Sequence, residues 1–257
     1  MNPYRLTLLI ALLLFQAACA TVADRASRPG ETAGPAGEGA VLATRCENVN
    51  RTLLSSRGIG RLEFSSSGRT QRLRFAWVGA FPGKLRVVLL GLDGRPLVTV
   101  ATDGNGICLL DHTTGKFHRE SPPGGRLKAL ADLPLHLDAL ARLLAGRMPA
   151  FDYNRAEPIE GRTAVEDGVV LKKWWNRVGR VYLHESQPTF TRIEAYRQTG
   201  ELRYRADIKK TRQVKAFTVP RILAIHDDAG RRLTLDIERY WANEPVRPGT
   251  FRLESPE

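Results

Sequence analysis

Residues 72–104 alternate apolar and charged side chains, and this pattern restricts the segment to a sheet. Side chains repeat every two residues along a β-strand, so the alternation predicts three half-buried antiparallel strands. Asp93-Gly94 lies between two of them and predicts a hairpin with a type I′ turn, in which both central residues take positive φ. Leu92 lies directly beside that turn. The outward residues are Arg72, Arg74 and Arg86, and the inward residues are Leu73, Phe75, Trp77, Leu85, Val87 and Leu89.

Strand patterns recur along most of the chain. They cover residues 61–64, 106–111 and 116–120 in the first half, and 168–175, 180–185, 190–197, 201–209, 220–227 and 232–240 in the second. Turn-forming residues at 198–200 and 228–230 separate consecutive strands. This spacing predicts one continuous antiparallel sheet, curved or closing into a barrel, in a single domain over residues 41–257. The outward side chains Arg203, Arg205, Asp207 and Lys209 predict a mainly basic face that is solvated or that meets lipid headgroups or an acidic partner.

One helix is predicted ahead of the strands, over residues 41–55. Leu42, Cys46, Val49 and Leu53 follow a helical spacing there, and Gly58 and Gly60 are expected to end the helix. The helix either packs on the sheet as an ordinary amphipathic helix or closes an apolar cavity as a plug or lid. The spacing leaves both alternatives open.

Leucine-rich residues 126–147 predict a second helix. Pro134 divides them into a short helical turn and a longer helix that begins near Leu135, and Gly146 is placed to cap its end. A helix this apolar has to cover other apolar surface. It either completes the core of the sheet or closes a concave sheet face over a pocket. The leucines on its apolar face are Leu137, Leu140 and Leu144.

The N-terminal residues predict export. Arg5 precedes an apolar run over residues 6–15 that is too short to span a bilayer, which identifies residues 1–18 as a signal peptide. The following Ala17-Ala18-Cys19 resembles the lipobox of bacterial lipoproteins and implies lipidation of Cys19; an ordinary cleaved signal peptide is the alternative. Ala20, in place of aspartate, implies an address at the outer membrane, facing the periplasm. Residues 19–40 then form the lipidated end and a flexible tether.

Composition and motifs argue against several classes of protein. The net charge of +12 indicates an anionic partner, but the cations are spread along the strands and no nucleic-acid-binding motif is present. No catalytic or nucleotide-binding motif occurs, and the five histidines are scattered. We therefore expect no enzyme, no cofactor and no metal. Besides Cys19, Cys46 and Cys108 remain, and they either form a disulfide in the exported compartment or stay as thiols.

Four features, in order, resemble the LolA/LolB superfamily of periplasmic lipoprotein carriers and receptors. They are a helix leading into Ser-x-x-Gly-x-Gly at residues 55–60, the alternating strands at 72–94, the short strand at 107–111, and the leucine-rich residues 134–149, which end in Leu-x-Gly-x-x-Pro. The last of these is the most specific. The C-terminal strands match only in pattern.

This resemblance implies a mainly β fold with a helical lid (α+β), in which a curved antiparallel sheet forms an open, incomplete β-barrel. It implies a monomer with membrane lipid, acylated lipoprotein cargo and a LolA-like carrier as partners. It gives Leu92 a membrane-insertion role, although the superfamily motif has leucine directly before the glycine, where this chain has Asp93. The alternative is a structural or interaction lipoprotein that binds a protein or polysaccharide-export partner. The candidate residues for an acyl-chain cavity are Phe75, Trp77, Leu85, Val87, Leu89, Leu109, Leu140 and Leu144.

Overall fold

The structure, a computed structural model, describes residues 35–120, 126–127, 133–160 and 166–254. The predicted signal peptide, Cys19 and the predicted tether up to residue 34 lie outside the described residues. Gly34–Glu257 form one compact unit. Among the helices that the structure describes, none has the length and apolar composition needed to cross a membrane.

The described helices and strands, in chain order, are α1 (Pro35–Asn48), β1 (Ser55–Ser66), β2 (Arg69–Ala80), β3 (Lys84–Leu90), β4 (Pro96–Thr102), β5 (Ile107–Asp111), β6 (Phe117–Glu120), β7 (Arg126–Leu127), β8 (Leu133–His136), α2 (Leu137–Leu144), β9 (Arg155–Pro158), β10 (Glu166–Lys173), β11 (Asn176–His184), β12 (Phe190–Tyr196), β13 (Leu202–Val214), β14 (Phe217–His226) and β15 (Arg232–Ala242).

Thirteen of the described strands form one antiparallel sheet, in the order β6-β5-β4-β3-β2-β1-β15-β14-β13-β12-β11-β10-β9, and β7 pairs only with β8. The sheet is not closed, because β6 and β9 remain as its two edges. The predicted curved, open antiparallel sheet with a helical lid is therefore confirmed.

The alternating segment forms β2, β3 and β4, as predicted. Phe75 pairs with Leu89 and Trp77 with Val87, and all four side chains are buried on one face. The Phe75 and Trp77 rings stack with their centroids 5.4 Å apart. The residues between them on the strands stay exposed or half-buried. The two-residue period thus identified the inner face of this part of the sheet correctly.

The β3–β4 hairpin differs from the predicted type I′ turn. The Gly94 N–H donates to the Gly91 oxygen at 3.0 Å, and positive φ occurs at Gly94 (+80°) but not at Asp93. The register also shifts after Leu89. This is the pattern of a type I turn followed by a left-handed glycine, which suits a loop longer than two residues. It leaves the Leu92 side chain fully exposed at the tip.

Gly58 and Gly60 lie inside β1, which corrects the prediction that they end a helix. The strand begins at Ser55, before the predicted start at residue 61. A Cβ atom at residue 58 would overlap the ring of Trp77, and one at residue 60 would lie 3.0 Å from the ring of Phe75. The two glycines therefore allow the inner aromatic rings to lie directly on the β1 backbone.

Helix α1 begins and ends earlier than predicted, so residues 35–40, assigned above to the tether, are helical. The helix packs against β9 and β10. Gly39 permits this approach, because a Cβ atom there would lie 2.6 Å from the carbonyl carbon of Ala156 in β9. The predicted apolar residues are all buried, although two of them follow the helix: Leu42, Cys46, Val49 and Leu53. Helix α1 thus packs on the sheet as an amphipathic helix.

Helix α2 begins at Leu137, and the residues before it are extended. They form β8, which pairs with β7. The prediction of a short helical turn before Pro134 is therefore wrong for the described residues 126–127 and 133, which are extended. The predicted cap is present: Gly146 has φ +62°, its N–H donates to Leu143 O at 2.9 Å, and Arg147 N–H donates to Arg142 O at 2.8 Å. This is a Schellman motif. Helix α2 contacts β3 and β14, so its leucines cover the inner face of the sheet.

Asp207 is buried, whereas the sequence pattern placed it on a solvated face. Its Oδ1 accepts hydrogen bonds from Nε of Arg192 at 3.2 Å and from Nε of Arg205 at 3.1 Å. His226 Nδ1 lies 3.9 Å from Oδ2, and burial lowers the pKa of this histidine in spite of the nearby carboxylate. The long cationic side chains cover the carboxylate, so this part of the basic face is an internal ion-pair network.

The possible disulfide between Cys46 and Cys108 is not formed, and both residues are free thiols. Cys46 lies on α1, which packs on β9 and β10 at one edge of the sheet. Cys108 lies in β5, the second strand from the other edge. Burial raises the pKa of Cys46 to about 12, and the charge of Arg45 opposes that shift only partly. Cys46 is therefore a protonated core residue at physiological pH.

Candidate ligand-binding cleft

A cleft of about 1000 Å³ lies beside the N-terminal end of α2. Its walls come from the β2–β3 and β4–β5 turns, from residues 136–139 and 149–152, and from parts of β10 to β13. Elements distant in sequence therefore meet there. The volume is at the upper end of the usual range for small-molecule sites.

One wall of the cleft is apolar. Ile107, Phe151 and Val178 each pack partly against the core and leave the rest of their surface to the cleft. Gly179 makes room for the Phe151 ring, because a Cβ atom at residue 179 would lie 2.9 Å from that ring. The buried side chain of Leu137, at the start of α2, also lines the cleft. This wall can therefore exclude water from an apolar ligand.

Charged side chains of both signs line the rest of the cleft. Arg203 contacts His136, and its Nε donates to the Pro134 oxygen at 2.9 Å. Lys173, at the end of β10, pairs with Asp152. Carboxylates of α2 and of the β4–β5 turn line the cleft as well. A ligand in this cleft would meet both an apolar wall and hydrogen-bonding groups.

Three groups that line the cleft have pKa values shifted further away from pH 7 than usual. Burial, followed by a hydrogen bond to Glu194, raises the pKa of Tyr196 to about 12. Burial also raises the pKa of Tyr204. The backbone N–H of Asn105 stabilises the ionised form of Asp103 and lowers its pKa. These groups keep one protonation state near pH 7, which suits binding better than proton transfer.

The eight predicted cavity residues lie in the core rather than on the wall of this cleft. Seven of them are buried, and Leu109 is half-buried and packed against the core. In the described chain, none of the eight lines the cleft. Their contact with an acyl chain therefore stays a prediction. The sequence pattern did not single out Ile107, Phe151 and Val178, because an isolated apolar residue in a loop or near the start of a strand gives no periodic signal.

Leu92 lies away from the large cleft, at the edge of a second cavity of about 400 Å³. Leu62, Leu73 and Leu90 line the same cavity, together with charged residues of β1, β2 and β15. The exposed hairpin tip therefore continues into a small depression that is lined by leucines and by charged side chains. Its membrane role stays a prediction.

The described residues contain no cluster of three or more His, Cys, Asp or Glu side chains placed to hold a metal ion. His112, which follows β5, makes a 2.9 Å hydrogen bond to the hydroxyl of Thr99. A hydrogen bond of this kind between neighbouring strands serves the sheet.

Comparison with solved structures identifies the fold. A LolA superfamily protein from Nitrosomonas europaea is similar, with a TM-score of 0.57 and 12% sequence identity over 84% of this chain and 97% of that one. The chain has a LolA/LolB-like fold. A domain from Vibrio parahaemolyticus assigned as an outer membrane lipoprotein-sorting protein gives a TM-score of 0.58 and 10% identity, over 84% of this chain and 97% of that one.

A DUF1329 family protein from Desulfovibrio piger has the same LolA/LolB-like architecture. Its TM-score is 0.64 at 10% identity, and the match covers 85% of this chain and 97% of that one. No protein-family model matches the sequence, and no curated protein is similar to it. At such low identity the similarity establishes the fold.

Proposed function

We propose that this chain is a non-enzymatic, lipid-anchored protein of the periplasm that binds the acyl chains of lipids or lipoproteins and aids their delivery to the outer membrane. The observation that carries the proposal is a cleft with an apolar wall in a LolA/LolB-like fold. Acylated lipoprotein cargo, membrane lipid and a LolA-like carrier are the partners that this function requires.

Reversible binding follows from the composition of the cleft. An acyl chain gains about 0.8 kcal/mol for each CH₂ group that leaves water. A carrier has to bind the chain well enough to hold it, but less well than the bilayer that receives it. The composition of the cleft supports this part of the proposal, because Ile107, Phe151 and Val178 cover one side of it and charged groups occupy the rest. The acyl chain would lie on the apolar wall and the polar end of the cargo near Arg203 and His136.

The anchor in this proposal is Cys19. Residues 20–34 connect it to helix α1 and would span at most about 50 Å if extended. An anchored domain with such a reach stays within about 50 Å of its membrane. Several acyl chains on one cysteine make the attachment stable without a membrane-spanning helix.

A synthetic peptide with an N-terminal diacylglyceryl cysteine tests the cleft. Native mass spectrometry of the mature protein is expected to show the bound peptide, or a phospholipid retained from gentle purification. Val178→Glu places a charge on the apolar wall and is expected to weaken binding about tenfold or more. The matched control is Val78→Glu, since Val78 is also half-buried but faces away from the inner aromatic rings.

The proposal fails if the wild-type protein takes up no lipid or peptide, or if both valine variants bind equally well. An empty cleft in a protein that still fractionates with membranes would favour the alternative, a structural or interaction lipoprotein that uses this fold to bind a protein or polysaccharide-export partner.

A further inference from the structure

Two adjacent tryptophans form the tip of the β10–β11 hairpin. Lys173 and Asn176 are paired across the two strands, so Trp174 and Trp175 make up the whole turn. Their exposed fractions are 70% and 90%, which are high for the largest apolar side chains. The sequence pattern predicts a strand over residues 168–175, in which one of the two tryptophans would face the core.

The backbone conformation of Trp174 is also unusual. Its φ is +57°, in a region where glycine is favoured and a bulky side chain is an outlier. The Trp174 N–H donates to Oδ1 of Asn154 at 3.0 Å, and the Asn154 N–H donates to the Lys172 oxygen at 3.0 Å. The turn is thus held in place from the neighbouring segment. Glycine at position 174 would suit the fold better, so the tryptophan points to a function of its exposed ring.

The strands beside the tip are cationic. Residues 168–180 contain Lys172, Lys173, Arg177 and Arg180 and no carboxylate. The two lysines pair with Glu157 and Asp152 on the adjacent segment, and the Arg177 guanidinium stacks 4.1 Å from the Tyr196 ring centroid. The cations outnumber their partners. Exposed indoles next to basic side chains are the combination found where proteins meet the headgroup region of anionic membranes.

We infer that the Trp174–Trp175 turn inserts into the interfacial region of an anionic lipid bilayer. Indole rings favour this region because their apolar body enters the acyl boundary while the ring N–H stays hydrated. The size of the tip argues against a separate protein-docking face. Two aromatic side chains bury about 150–250 Å² each, whereas a stable protein interface needs about 800 Å² from each partner.

The position of the tip connects it to the large cleft. Lys173 and Trp174 both line that cleft, so insertion of the turn brings the cleft to the bilayer surface. An acyl chain then moves between cleft and membrane with little exposure to water. This link to delivery rests on the proposed function, whereas binding of the tip to lipid does not.

Vesicle binding by the mature chain with Cys19→Ser tests the tip without the lipid anchor. The compact unit begins at Gly34, so removal of residues 1–18 leaves it complete. The probe is a vesicle of phosphatidylethanolamine and phosphatidylglycerol with brominated acyl chains, which quench the fluorescence of inserted tryptophans. We expect the chain to sediment with these vesicles, with quenched fluorescence and weaker binding at high salt.

The test variant is Trp174→Gly with Trp175→Ser, which removes both rings and suits the positive φ. It is expected to keep or raise the thermal stability and to lower vesicle binding about tenfold or more. The control is Val41→Ser with Leu54→Ser, which removes two other exposed apolar side chains and should leave vesicle binding within about twofold.

The inference is overturned if the parent chain does not bind the vesicles, or if the tryptophan variant binds them as well as the parent chain does. It is also overturned if the parent chain forms a concentration-dependent dimer that the tryptophan variant abolishes while vesicle binding is unchanged. Uptake of the diacylglyceryl peptide by the parent chain and by Trp175→Ser alone separates the two proposals, because Trp175 is not among the described residues that line the cleft. Weaker vesicle binding by Trp175→Ser with intact peptide uptake supports the tip alone, and vesicle binding without peptide uptake by the parent chain retains the tip and contradicts the cleft function.

Discussion

The ring of Trp77 lies directly on the backbone of Gly58, its paired residue on the neighbouring strand. A Cβ atom at residue 58 would lie 2.5 Å from Cζ3 of that ring and 2.6 Å from the Arg239 oxygen on the other side. The Trp77 ring in turn contacts Phe75 and Tyr240, with centroids 5.4 and 5.7 Å away. The aromatic core of the sheet therefore depends on one residue without a side chain.

Gly58→Ala is expected to lower the free energy of unfolding by about 2–3 kcal/mol, because neither the ring nor the Arg239 carbonyl can move without disturbing the core. Urea unfolding followed by fluorescence measures the loss. The control is Gly79→Ala, whose Cβ atom would lie 3.3 Å from the Ser56 hydroxyl oxygen and needs only a small adjustment. Equal losses in the two variants would show that the Trp77 contact has no special weight.

Asn50 follows α1 and has a positive φ of +51°. Its side chain hydrogen-bonds to the segment that ends α2. Its Nδ2 donates to the Ala145 oxygen at 2.9 Å and to the Thr218 oxygen at 2.8 Å. Asn50→Gly is expected to cost about 1–2 kcal/mol of stability through the lost hydrogen bonds. Asn50→Ala should cost about 1 kcal/mol more, since alanine is strained at positive φ. Thermal unfolding of both variants checks the order, and a more stable alanine variant would contradict it.

The sequence predicted the sheet well because alternation reports directly which side of a strand is buried. It predicted glycines poorly, because a glycine that ends a helix and one that admits an aromatic ring look alike until Trp77 is placed beside Gly58. The start of α1 depended in the same way on the contact between Gly39 and Ala156. Such contacts between distant residues carry no local signal.

The candidate site was harder to predict than the fold. Alternation identifies inward side chains such as Phe75 and Leu89 but does not report whether the space between them is filled. In this structure it is filled, and the cleft lies elsewhere, at turns and strand ends. Trp174 and Trp175 followed a β-rich run, and the high strand propensity of aromatic residues concealed the turn.

The pKa of Cys46 predicts a loss of stability in alkali. The thiol has its ordinary pKa of 9.0 when unfolded and a pKa of about 12 when buried. The unfolded state therefore loses its proton first, and stability falls as the pH rises above 9. We expect the parent chain to lose about 1 kcal/mol more than Cys46→Ala between pH 8 and pH 10. Urea unfolding in reducing buffer at both pH values measures this, and parallel losses would contradict it.

Lipidation of Cys19 predicts where the protein fractionates. Cys19→Ser is expected to release the chain from the membrane fraction into the soluble periplasm when the membranes are washed at high salt, because an acyl anchor cannot form on serine and salt weakens the remaining contact of the tryptophan turn with anionic lipid. Cell fractionation and the intact mass of the purified chain provide the measurement. Cys108→Ser serves as the control, since it removes a thiol from the folded domain and leaves the N-terminus unchanged. Unchanged membrane association of the Cys19 variant would count against an acyl anchor.

Leu92 and the tryptophan turn make different predictions for delivery. Leu92 is fully exposed at the β3–β4 tip, so Leu92→Glu should leave the fold and peptide uptake intact. If this tip inserts into the membrane, a buried carboxylate opposes insertion, and transfer of the diacylglyceryl peptide from protein to vesicles slows about tenfold or more. Leu54→Glu, at another exposed leucine, is the control. A normal transfer rate for Leu92→Glu, together with slow transfer for the tryptophan variant, would assign membrane contact to the β10–β11 turn.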